Sequence, residues 1–166
     1  MTTIEALLQE LEQEAKTTRR VLERVPEDRL GWKPHDRSMS LGQLALHIAR
    51  LPGGIAEASR QSPFQVPAFA HPSPASAAEL IPTLDQSLAQ ARQILSGTDD
   101  VALANVWRVM DGDREVMAMP MGAMLRALML NHWYHHRGQL CVYLRQVGAL
   151  VPSVYGPSAD EGPAGM

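Results

Sequence analysis

The chain has 166 residues, which suits one domain with a full hydrophobic core. Its formal charge of -3 and scattered Lys and Arg residues form no basic stripe and argue against nucleic-acid binding, and no apolar run is long enough to span a bilayer. The single cysteine, Cys141, excludes an internal disulfide; the early Glu5, Glu10 and Glu12 argue against a secretory signal, so a cytoplasmic location is expected.

The first helix is predicted from Thr3 to Val25, with Thr2 and Glu5 as a capping box and Ile4, Leu7, Leu8, Leu11, Ala15, Leu22 and Val25 at helical spacing. Pro26 stops it. Ser40 and Gln43 cap a second helix, which Pro52-Gly53-Gly54 is expected to kink or end. Residues 61–75, rich in Pro, Ser and Ala, read as a long crossover loop. A third helix is predicted from Ala77 to Leu95, with Ser76 and Glu79 as its capping box; Pro82 conflicts with this unless the regular helix starts nearer Ile81. The Asp111-Gly112 turn between alternating residues predicts a short hairpin. The last helix is predicted from Met121 to Val147, closed by Gly148. Residues 1–150 are thus expected to form one all-α domain, a four-helix bundle with a short β-hairpin before the last helix, and residues 151–166 an irregular tail.

The last helix carries the chemistry, in the run Asn131-His132-Trp133-Tyr134-His135-His136-Arg137-Gly138-Gln139-Leu140. At about 100° per residue, His132 and His136 lie about 40° apart, on the stripe that also holds Leu125 and Tyr143. Histidine is costly to bury without partners, and two stacked on an inward face call for a shared one, such as a metal ion. His135 points roughly 80° away and is the weaker ligand, although an exchange of His135 for His136 stays open. A catalytic zinc site commonly takes three protein ligands. The best third ligand is His47, on the edge of the second helix's apolar stripe; taken alone it would read as a core histidine bonded to a carbonyl. His35 and His71, in Pro-containing loops, read as surface residues, and Cys141 reads as a small core residue with thiol chemistry as a minor option.

Such a site could lower the pKa of a bound water toward ~7 or bind a small thiol as thiolate. Trp133 stands where a zincin has its Glu base, and the Glu-x-x-His pairs of a di-iron bundle are absent, so both chemistries are disfavoured. Arg137 could hold a substrate carboxylate or form a salt bridge at the bundle edge. Asn131 or Gln139 could orient a ligand imidazole, and Tyr143 could line the pocket or simply pack. Trp32, Trp107 and Trp133 could wall a pocket, but buried Trp usually means core.

The segment Leu44-Ala45-Leu46-His47-Ile48-Ala49, the His132-x-x-His135-His136-Arg137-Gly138-Gln139-Leu140 run and the tail from Val151 to Glu161 resemble the DinB/YfiT-like superfamily over nearly the whole chain. The resemblance implies an up-down-down-up four-helix bundle and a divalent metal, often nickel or zinc, with His47, His132 and His136 at the ligand positions. It also implies a low-molecular-weight thiol as cosubstrate, as in mycothiol-dependent maleylpyruvate isomerase and bacillithiol S-transferases, and a homodimer. The expected function is therefore a metal-dependent enzyme acting on small molecules, a thiol-dependent S-transferase or isomerase, or one with hydrolase-type activity. The alternatives are a non-catalytic metal- or small-molecule-binding bundle and a dimeric interaction module.

Overall fold

The computed structural model describes residues 2–66 and 70–162. Helix α1 (Thr3–Leu22) starts at its capping box, with Thr2 accepting from the Glu5 N–H and Glu5 from the Thr2 N–H. It ends three residues before the expected Val25, which is nonetheless buried. Helix α2 (Leu41–Ser59) starts at the Ser40 and Gln43 box.

Helix α2 then continues through Pro52-Gly53-Gly54, where a kink or an end was expected, and does not end there. Pro52 has no N–H, which strands the Ile48 carbonyl one turn earlier. The indole N–H of Trp133 donates to that carbonyl at 2.9 Å. Ser87 supports the same turn: its hydroxyl accepts from the Gly53 N–H at 2.8 Å and donates to the Arg50 carbonyl at 3.1 Å. Neighbouring helices thus satisfy the backbone groups that proline frees, and the helix survives.

Helix α3 (Leu80–Ser96) follows a single 3-10 turn at Ala77–Glu79. The expected Ser76 capping box does not form; Glu79 instead accepts from the Ala75 N–H, and Glu27 from that of Ala77. Pro82 falls in the first turn of α3, where an N–H has no intrahelical partner anyway. A five-residue helix α4 (Asp100–Ala104), unforeseen in the sequence, is capped by Asp99. The hairpin pairs β2 (Val106–Asp111) with β3 (Arg114–Pro120). Its two-residue turn opens on Gly112 at φ 60°, the conformation that favours glycine. The 61–75 connection is not plain loop: β1 (Phe64–Gln65) pairs in parallel with β2. Residues 67–69 of that connection lie outside the described residues. The all-α expectation is therefore corrected to a mostly helical fold with a small sheet in the order β1-β2-β3.

The predicted last helix is one continuous rod with a defect in it. Helix α5 (Met121–Met124) passes through π-helical turns at Leu125–Asn131 into α6 (His132–Gln146). Gly148 at φ 79° closes it: Gly148 N–H donates to the Arg145 carbonyl and Ala149 N–H to that of Leu144, a Schellman pattern. Helices α1 and α2 each pack against both α3 and α6. Leu11, Leu22, Leu44, Ile48, Leu84 and Leu140 are among the residues buried between them. Among the described residues, no helix is long and apolar enough to cross a membrane.

Among its described residues the tail has no helix or strand but is docked. Val151, Pro152 and Ser153 are buried, Asp160 accepts from the Val151 N–H, and Glu161 accepts from the Ser153 N–H and pairs with Arg20 and Arg24. Arg137 joins α6, α1 and the tail. Only 1% exposed, it bonds Glu14 and the Tyr155 hydroxyl at 2.5 Å each and the Thr18 hydroxyl at 3.1 Å. Arg137 is thus not free to hold a substrate carboxylate; the salt-bridge alternative is what forms, in a buried pair with Glu14.

Two pairs of variants test this packing by chemical denaturation. A Cβ on Gly53 would stand 2.8 Å from the Ser87 carbonyl oxygen, whereas one on Gly54 meets nothing within 4 Å. Gly53→Ala is expected to destabilise by about 1–3 kcal/mol. Gly54→Ala is expected to stabilise by roughly 0.5–1 kcal/mol through helix propensity. Glu14→Ala, which leaves the Arg137 charge buried and unpaired, is expected to cost about 3–5 kcal/mol, and Glu14→Leu with Arg137→Met to recover most of it. Equal losses for the single and double replacements would refute the unpaired-charge argument.

Candidate metal centre

Helix α2 supplies His47 and helix α6 supplies His132 and His136. Their ring centroids stand 5.4 Å (His47 to His132), 4.7 Å (His47 to His136) and 4.4 Å (His132 to His136) apart. One ring nitrogen from each lies within 4.8 Å of the others, and all three side chains are half-buried. The Trp133–Ile48 bond fixes this convergence, because Trp133 follows His132 and Ile48 follows His47.

The π-helical turns orient His132. In a regular α-helix its backbone N–H would take the Leu128 carbonyl; here it takes that of Ala127. The Leu128 carbonyl instead lies by the His132 imidazole and acts on it as an acceptor, favouring its protonated form. Gln139 does the same for His136, its Oε1 accepting from Nδ1 at 2.6 Å. The two Nε2 atoms face one another across 2.6 Å. Two lone pairs that close repel unless a proton or a cation stands between them. On one tetrahedral zinc, such nitrogens would be about 3.3 Å apart, a small opening from this geometry. The donor set and its orienting acceptors therefore suit a divalent ion.

The electrostatics agree with that fit. Burial, reinforced by the charges of His136, His132 and His71, lowers the His47 pKa to about 4. Burial also lowers His132, against the Leu128 bond, and His136, against the Gln139 bond. All three imidazoles are neutral at pH 7, the state a metal ligand needs. Among the described residues, no carboxylate joins the cluster.

The other residues singled out in the sequence fall less close. His135 is exposed, its ring 5.0 Å from that of His136 but outside the nitrogen cluster. Asn131 is exposed and, among the described residues, bonds no imidazole, which corrects its orienting role. Tyr143 packs edge-on against Trp32 at 5.4 Å, the packing alternative. Trp133 is fully buried in the core. Cys141 is half-buried and burial pushes its thiol pKa up, the reverse of what a reactive thiolate needs. His71 is exposed, as expected, yet its ring stands 6.1 Å from that of His47, and its carbonyl accepts from Gln43 at 2.7 Å. No sequence pattern pointed to that approach, because a loop has no periodic face. The sequence also gave no sign of an apolar cavity of about 550 Å³ between α2, the sheet and the π-helical turns, with His132 in its wall.

A model of the DinB family matches residues 1–164. The YrdA protein of Bacillus subtilis (strain 168) is 30% identical over 164 residues, spanning 96% of this chain and 92% of that protein. A DinB-like protein from Bacillus cereus ATCC 10987, solved by crystallography, superposes with a TM-score of 0.75 at 26% identity, covering 93% of this chain and 100% of the other. A DinB-like protein of Bacillus subtilis, YjoA, shares the fold with a TM-score of 0.65 at 19% identity, covering 94% of this chain and 98% of the other. With its sequence matched almost from end to end, the chain belongs to the DinB family.

Proposed function

We propose that this chain is a divalent-metal-dependent enzyme acting on small molecules, with His47, His132 and His136 as the metal ligands. The observation that carries this reading is the convergence of three ring nitrogens: the Nε2 atoms of His132 and His136 stand 2.6 Å apart, and one nitrogen from each of the three histidines lies within 4.8 Å of the others. Histidine donors suit zinc and nickel, the two ions we favour. When bound, such an ion supplies Lewis acidity, lowering the pKa of a water or thiol brought to it. Transfer or addition of a small thiol is the reaction we favour, since among the described residues no carboxylate base of the protease type joins the histidines. In this scheme Gln139 and the Leu128 carbonyl hold the imidazoles, and Trp133 closes the protein side of the site to water. We further propose that α1, α2, α3 and α6 form an up-down-down-up four-helix bundle around it, a reading supported by their mutual packing.

Elemental analysis of untagged protein tests the ligand set. The parent is expected to carry about one zinc or nickel per chain, and His47→Ala and His136→Ala to lose it. Gln139→Ala should retain the site but weaken it by roughly 10–100-fold. A parent that stays metal-free after incubation with either ion overturns the proposal. Thiol consumption with a small epoxide then tests the reaction, with metal-loaded parent expected to exceed His47→Ala.

The lowered histidine pKa values set a pH dependence for the metal-free protein. A histidine whose folded pKa lies below its unfolded value binds fewer protons folded than unfolded, so stability falls as pH falls. For His47 the window runs from its ordinary 6.5 down to about 4. Glu10, held below its ordinary 4.5 chiefly by Arg126, loses its contribution only at more acid pH. Denaturation midpoints of the metal-free parent should therefore decline between pH 6.5 and 4, and those of His47→Ala should decline less. Matching profiles would refute burial of a neutral His47.

A further inference from the structure

The apolar cavity beside the histidines has no role in holding a metal, yet it shares a wall with the site. Ile55 and Ala58 of α2 face Phe64, Val109 and Met117 of the sheet across about 550 Å³, and Leu128 of the π-helical turns adjoins His132. Volumes of 300–1,000 Å³ are typical of small-molecule sites, which are mostly apolar with a few convergent polar groups. Among the described residues, His132 is the one lining side chain able to ionise; the rest are apolar or Gly apart from Trp107, whose indole N–H is already taken by the Ala58 and Gln61 carbonyls. A charged ligand would lose its hydration in this cavity and gain no partner. The polar part of the surroundings lies on the other side of the histidines, where His47, Arg50, Gln43 and His71 line a cleft of about 100 Å³.

We propose that the cavity binds an uncharged small molecule with an alkyl or aryl body, seated on the sheet with its reactive end at His132. The inference rests on the metal reading for what happens at that end; the binding of the apolar body stands without it. Val66 and Met117 also line the cavity and are each 37% exposed, so a charge placed at either position enters the cavity from its rim without opening the core.

The probe is N-phenyl-1-naphthylamine, an uncharged dye that fluoresces in apolar surroundings. The parent should bind it saturably, about one per chain, and Val66→Asp and Met117→Asp should weaken binding about tenfold or more while helical circular dichroism and metal content stay unchanged. Loading with copper(II), which quenches nearby fluorophores, should quench the bound dye in the parent and not in His47→Ala. Absence of saturable binding, or binding that neither aspartate alters, overturns the proposal. Bound dye that loaded copper leaves bright overturns its adjacency to His132. Binding that disappears as protein concentration rises would assign the cavity to a second copy of the chain and equally overturn it. Dye bound by a parent that takes up no metal would support the cavity while refuting the metal proposal, so the two readings fail separately.

Discussion

One hydrogen bond ties the candidate site to the fold: the Trp133 indole on the Ile48 carbonyl, 2.9 Å long and fully buried. Pro52 creates the vacancy by lacking an N–H, and Trp133 fills it from another helix. A buried carbonyl without a donor would cost roughly 1–3 kcal/mol, so the bond acts as a register lock between α2 and α6. The lock sits one residue from His47 on one helix and one residue from His132 on the other. Sliding either helix by a turn would strand the carbonyl and separate the imidazoles together.

That lock explains how three basic groups are held where their mutual repulsion and desolvation oppose them. Burial lowers every one of their pKa values, and in the histidine pair each ring is held by an acceptor: Leu128 for His132 and Gln139 for His136. The Leu128 acceptor exists because the helix is wound in π-fashion just before His132, so a local departure from regular geometry is converted into ligand orientation. The arrangement is stable as neutral imidazoles and loses stability as protons arrive, which is the behaviour of a site organised before any cation binds.

The histidine pair was legible in the sequence because four-residue spacing on a helix fixes relative direction without reference to the rest of the molecule. His47 needed a tertiary guess, made from its place at the edge of its own helix's apolar stripe and matched by the family resemblance. What was not legible were the partners that lie on distant chain. Arg137 lies about 100° from His136 around α6, which turns it toward Glu14 on α1 and Tyr155 in the tail, and neither partner is visible from its own helix. The helix end allowed for at Pro52 was local reasoning defeated by Trp133 and Ser87. Strand β1 has two residues, too few to display a period, and exists only because β2 offers it an edge.

The same proline gives α2 two functions along its length. Before Pro52 the helix presents His47 to the imidazoles of α6; after it, Ile55 and Ala58 form the wall of the apolar cavity facing the sheet. Ser87 and the close approach of Gly53 hold this second half against α3, so the wall is rigid although the helix lacks a regular hydrogen bond at its middle. The sheet closes the opposite side, and its Trp107 is anchored by bonds from its indole to the Ala58 and Gln61 carbonyls at the end of that same helix. Cavity and histidines are thus set by one element. A change that altered the path of α2 would move the ligand cluster and the cavity together, which ties any chemistry at His132 to the shape of what can sit beside it.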